Sequence, residues 1–127
     1  EIGTSVDEVD YWQNFVLRLL NNTKTDPQFE WLFKDRASTL VEAEFVVDER
    51  IIAIDRLFVD EDILWIIDFK TAEPLDDESL DQFVCRQQVQ HAKQLILYQE
   101  TLSKVYKNSI KCALYCPAVS QLIEITH

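Results

Sequence analysis

Asp55 and, thirteen positions later, Asp68-Phe69-Lys70 supply two carboxylates and an amine, the side chains of a hydrolytic metal site. Both lie in β-branched and aromatic runs, residues 51–59 and 63–70, separated by Asp60-Glu61-Asp62, a pattern that reads as a β-hairpin. A two-residue loop at Glu61-Asp62 pairs Val59 with Leu64, Leu57 with Ile66, and Asp55 with Asp68. Side chains two apart share a face, so Lys70 joins the aspartates, opposite the small Ala53. The run Leu40–Val47 alternates as well, and a tight turn at Asp48-Glu49 sets Glu42 opposite Asp55 and Glu44 opposite Ala53. Glu42, Asp55 and Asp68 then form a row across three strands, with Glu44 as the alternative glutamate on the same expected face.

Opposed like charges on a sheet repel, and such a row requires a compensating cation. Oxygen ligands favour a hard divalent ion, Mg²⁺ with Mn²⁺ as its substitute, and no His/Cys spacing of the zinc type occurs. Beside that ion Lys70 would stabilise charge developing on a scissile phosphate or orient the attacking water. Two points stay open at this level. One extra loop residue would send Asp55 to the other face, and Asp55 can instead form an ordinary salt bridge with Arg56 or Lys70.

Three ordered segments, Ala53-Ile54-Asp55-Arg56-Leu57, Trp65-Ile66-Ile67-Asp68-Phe69-Lys70-Thr71 and Gln94-Leu95-Ile96-Leu97-Tyr98, resemble the PD-(D/E)XK nuclease superfamily. Within it the chain is most similar to the RecB/AddA-type nuclease domain at the C-terminal end of UvrD-like helicases, as in the exodeoxyribonuclease V beta subunit, over roughly Glu42 to Ile125. The resemblance implies Asp55, Asp68 and the main-chain carbonyl of Phe69 as metal ligands, and Lys70 as the catalytic lysine. It implies Gln94 and Tyr98 as the Q-x-x-x-Y pair that reaches a DNA backbone or second-shell partners, with His91 on the same helical face as a further DNA contact. Ala53 stands where relatives usually carry glycine, and the family's upstream histidine ligand has no match, since the only histidines are His91 and His127.

The net charge of −11 runs against autonomous DNA binding, which relies on a basic surface. Part of it is local, because Asp76, Asp77, Glu78 and Asp81 cluster where the long helix begins, a place that favours negative charge. The resemblance implies that a helicase portion of the same polypeptide, and a second helicase-nuclease subunit, grip the DNA and use the ATP. The sole glycine, Gly3, excludes a Gly-rich phosphate loop, and with no methionine the chain reads as an excised piece of such a protein. The three cysteines, Cys85, Cys112 and Cys116, suit neither a disulfide framework nor the four-cysteine iron–sulfur cluster of some relatives; Cys112 and Cys116 read as small buried hydrophobes. The absence of a long apolar run and of a signal peptide gives the expectation of a cytoplasmic protein without membrane contact.

The elements that must position these residues follow from periodicity. A helix is expected over about 6–21, with Val9, Trp12, Phe15, Val16, Leu19 and Leu20 as its apolar stripe, then a short helical or irregular segment from Asp26-Pro27 to about Arg36. After the three-strand meander come a loop over 71–74, a long helix over about 78–106, either continuous or broken near its middle, and strands near 110–116 and 121–126. One α/β domain of order α-βββ-α-β results, a restriction-endonuclease-like mixed sheet flanked by helices, with a helical part over 1–39 and the core over 40–127. The function expected is Mg²⁺-dependent exonucleolytic hydrolysis of DNA in a helicase-nuclease of recombinational repair. The alternative is a catalytically inactive docking or DNA-binding module on the same fold.

Overall fold

The computed structural model describes residues 27–126 together with Leu17, so the helix expected over 6–21 lies, apart from Leu17, outside the described residues. Helix α1 (Pro27–Leu32) precedes a meander of β1 (Leu40–Val47), β2 (Arg50–Asp60) and β3 (Ile63–Phe69); helix α2 (Leu80–Leu102), β4 (Ser109–Cys116), a 3₁₀ turn (Pro117–Val119) and β5 (Gln121–Ile125) follow. The strands form one mixed sheet in the order β1-β2-β3-β4-β5, antiparallel except for the β3–β4 pair. A parallel pair cannot be joined by a tight turn, and α2 provides the crossover.

Both faces of the sheet are covered at β3 and β4, which is why β3 reads as a continuous apolar run instead of an alternating one. On one face Phe83, Leu95 and Leu102 of α2 pack against Leu57, Leu64, Ile66, Cys112, Leu114 and Ile123. On the other, Leu32 of α1 meets Phe58, Ile67, Ala113 and Tyr115. A six-residue helix is too short to persist alone, so α1 depends on the sheet. The Trp31 indole donates to Asp60 at 3.1 Å, and Arg56 donates to the Leu32 carbonyl at 2.9 Å. Arg36, whose side chain is 7% exposed, lies 4.1 Å from the Phe58 ring centre and pairs with Asp60 at 3.3 Å.

The strand register is the one the two-residue loops dictate: Val59 faces Leu64, Leu57 faces Ile66, and Glu44 faces Ala53. Both loops are made of acidic residues in the left-handed region, with φ of 51° and 66° at Asp48-Glu49 and 49° and 67° at Glu61-Asp62. Asn or Gly is the usual occupant there, because a Cβ crowds the carbonyl.

Helix α2 departs from expectation at both ends and runs unbroken. It starts at Leu80 because Ser79 closes a capping box: its hydroxyl accepts from the Gln82 N–H at 3.1 Å, and the Gln82 side chain accepts from the Ser79 N–H at 2.9 Å. Glu78 lies before the helix and binds Arg86 at 2.7 Å. At the other end the Ser103 hydroxyl donates to the Glu100 carbonyl at 2.6 Å and the chain turns, so 103–106 lie outside the helix. No helix among the described residues is long and apolar enough to cross a membrane.

Glu49→Gly and Asp62→Gly are each expected to stabilise the chain by about 1 kcal/mol, as relief of a left-handed L-residue. The signature is a higher urea midpoint at unchanged slope. Arg36→Ala is expected to destabilise the chain by about 2 kcal/mol, read as a lower midpoint, through the lost ring contact and the stranded Asp60 carboxylate.

Candidate functional site

At the end of β3 the regular ladder gives way. The β1–β2 pairing runs from Val47–Arg50 to Leu40–Leu57 but skips Glu42 and Asp55, and the β2–β3 pairing stops at Arg56–Ile67. Ile52 and Ile54 pack in the α2-facing core before the gap and Leu57 and Val59 after it, so the alternation of β2 changes phase across Asp55-Arg56. Asp55 fills the opening: its Oδ2 accepts the Phe69 N–H at 2.8 Å, a side chain replacing a strand partner. Arg56 points to the α1 face, where it holds Leu32 and covers the Phe33 ring at 4.5 Å. An Asp55–Arg56 ion pair is thereby excluded.

Asp68 stands beside Asp55, its side chain 17% exposed and 2.9 Å from the Lys70 ammonium. Burial, and a hydrogen bond shared with the Asp55 carboxyl, push its pKa up to about 6 despite the opposing effect of Lys70. Two half-buried carboxyls this close repel when both are ionised, which favours the protonated form of Asp68. Lys70 itself is placed by the sheet, its N–H donating to the Tyr115 carbonyl at 2.9 Å in continuation of the parallel ladder.

Helix α2 lays a polar stripe over this end of the sheet. Gln94 Nε2 lies 3.0 Å from the Tyr98 hydroxyl, as their i, i+4 spacing allows. Burial raises the Tyr98 pKa, and Asp68 and Asp55 add to the effect. Burial lowers that of His91, and the Lys70 charge adds to it. Tyr98 is thus within electrostatic reach of both carboxylates and the lysine, and His91 of the lysine.

The expected row of three carboxylates is reduced to two. Glu42 is exposed and has a φ of 50°, a left-handed break in β1 that removes it from the alternation. Glu44 is exposed opposite the exposed Ala53, while their neighbours Phe45 and Ile52 pack in the α2-facing core. It therefore lies on the opposite face of the sheet from that core, and Ala53 does not share a face with Asp55. Among the described residues no three His, Cys, Asp or Glu side chains gather in a metal-sized group. The donors that do come together, two aspartates at a site with excess negative charge, have the chemistry of a hard-ion site, since Mg²⁺ takes one or two carboxylates and completes its shell with water and phosphate oxygen.

Two further residues, Cys116, buried as the sequence implies, and Gln87, were not among the expected site residues. Cys116, buried at the end of β4, has its thiol pushed up to about 11 by burial and feels the charges of Lys70 and Asp68. Gln87 is 1% exposed and lies four residues before His91. The sequence does not mark it, since the helix is rich in polar residues and others of them, Gln88 and Gln99, also reach the sheet, donating to the Glu124 and Ile110 carbonyls. Cys112, also buried, has its thiol pushed up to about 12 by burial, as befits a small core residue.

A comparison with protein-family models finds none that matches the chain, and no curated protein matches it.

The raised pKa of Asp68 makes stability pH-dependent. A carboxyl that binds its proton more tightly folded than unfolded contributes stability that is complete below the unfolded pKa of 3.8 and is lost as pH rises through about 6. Wild-type chain is therefore expected to lose about 1 to 2 kcal/mol between pH 4 and pH 7, allowing for the solvent that reaches the pair. Asp68→Asn is expected to flatten that slope in urea titrations run across the range.

Proposed function

We propose that this chain is a PD-(D/E)XK-type nuclease domain that hydrolyses DNA phosphodiester bonds with Mg²⁺, working as an exonuclease within a helicase-nuclease of DNA end processing. The observation that carries the reading is the convergence of Asp55, Asp68 and Lys70 at the broken end of the β2–β3 ladder, beneath the Gln94–Tyr98 pair. A structural ion pair needs one carboxylate. Here a second is held against the first, an arrangement that costs stability unless a cation is to be held.

In this reading Asp55, Asp68 and the Phe69 carbonyl hold the ion. When bound, a divalent ion supplies positive charge at the scissile phosphate and acidifies water. The chain's own residues account for the rest. Asp68, once ionised, would join Asp55 as a ligand. Lys70, fixed by its backbone bond to Tyr115 and its ion pair with Asp68, presents its ammonium to the phosphoryl oxygens, where negative charge grows as water attacks. Gln94 and Tyr98 offer an amide and a hydroxyl to the DNA backbone, and His91 adds a contact on the same side. A helicase portion of the same polypeptide, with a second helicase-nuclease subunit, supplies the basic surface that a chain of net charge −11 lacks.

The competing reading, an inactive docking module on this fold, is favoured by the acidity and by the exposure of Glu42. The two diverge in a single assay. In Mg²⁺ or Mn²⁺ at low salt, the chain is expected to degrade end-labelled linear DNA, and Lys70→Ala to lower the rate by about 10²- to 10⁴-fold. Retained cleavage in Lys70→Ala would remove the lysine from the mechanism, and no cleavage by the wild type would favour the docking module. Asp55→Asn and Asp68→Asn are expected each to weaken Mn²⁺ affinity at least about tenfold by calorimetry; unchanged affinity in either would sink the metal site.

A further inference from the structure

Gln87 is the one polar side chain of the α2–sheet interface with no visible reason to be there. It is 1% exposed and ranks among the largest fully buried side chains, yet among the described residues neither its amide nitrogen nor its amide oxygen has a hydrogen-bond partner. Leaving a buried amide unpaired costs about 1 to 3 kcal/mol, and buried polar side chains in folded proteins are paired with protein or with ordered water. An apolar residue would serve the packing better, as Phe83 one turn earlier and Leu95 two turns later do.

Its position limits what it can serve. The next turn of the same helical face carries His91, half-buried and under the influence of the Lys70 charge. Residues at i and i+4 stand about 5 to 6 Å apart at Cβ, a span that one water closes between an amide and an imidazole. A side-chain amide both donates and accepts, and so can hold such a water in a fixed orientation.

We propose that Gln87 binds an internal water behind the candidate site and through it positions His91, fixing which ring nitrogen carries the proton and the direction in which the imidazole faces the Lys70 side of the site. Gln87 is then a positioning residue, not a catalytic one. The consequence for DNA cleavage rests on the nuclease reading above. The hydrogen-bonded unit itself does not, and its test needs no substrate.

The experiment is nuclear magnetic resonance on the whole ¹⁵N-labelled chain. In the wild type the Gln87 side-chain NH₂ is expected to show a cross-relaxation peak to a long-lived water and slowed hydrogen exchange. In Gln87→Met, close in size and apolar, the His91 ring ¹⁵N shifts are expected to move toward the mixed tautomer of a free imidazole. Absence of the water peak in the wild type overturns the proposal without recourse to any variant, and so holds even if Gln87→Met does not fold. Unchanged His91 shifts in a folded Gln87→Met would show that Gln87 is merely buried and would overturn the positioning role. Neither negative result touches the Asp55–Asp68–Lys70 reading, which the DNA and Mn²⁺ assays decide.

Discussion

The bond from the Phe69 N–H to Asp55 Oδ2, at 2.8 Å, organises the end of the sheet on which the candidate site is built. A strand-to-strand ladder uses backbone for backbone. Where a side chain takes over one of those bonds, the strands separate, and a carboxylate that belongs to β2 is held against the terminus of β3. Asp55 thus sits beside Asp68 without the two strands closing over it, and both remain partly open to solvent. The repulsion this creates is offset in part by the ion pair with Lys70, and the rest shows as the raised pKa of Asp68.

The neighbouring residue secures the arrangement from the other side. Asp55 and Arg56 are consecutive yet serve opposite faces, one at the carboxylate pair, the other under the carbonyl end of α1. Docking of the short helix therefore fixes the phase of β2 at the point where its alternation changes. A slip of one residue would bury Arg56 among Ile66 and Leu114 and expose Asp55. The aromatic cluster of Trp31, Phe58 and Trp65, with Arg36 above it, ties the same helix to the middle of the sheet.

How much of this was legible from the chain depended on the range of the forces involved. The register of both hairpins was readable because apolar alternation and two-residue turns are local, and Val59–Leu64 and Glu44–Ala53 fall where those rules put them. The same arithmetic paired Asp55 with Asp68, but the ladder stops at Arg56–Ile67, and the bond from the Phe69 N–H to Asp55 sets the two carboxyls side by side instead. What alternation could not supply was its own interruption: the left-handed Glu42 and the phase change at Asp55 arise from the demands of two faces at once, so Glu42 leaves the row and Ala53 the Asp55 face. The helix start was misjudged because an acidic run looks like a first turn until the reciprocal Ser79–Gln82 cap is seen. Gln87 escaped notice because a lone glutamine in a polar-looking stretch carries no mark of burial.

The parallel contact between β3 and β4 gives the site an order of assembly. The meander from Leu40 to Phe69 closes through neighbours in sequence, whereas the carbonyl that receives the Lys70 N–H belongs to Tyr115, on a strand that arrives only after the whole of α2 has been laid down. Contacts of long sequence separation form late, because the loop entropy must be met before they contribute. The two aspartates can therefore come together in a partly folded chain, while the lysine that partners them is anchored only by the last strands to join the sheet. Completion of the fold and completion of the charged triad become the same event.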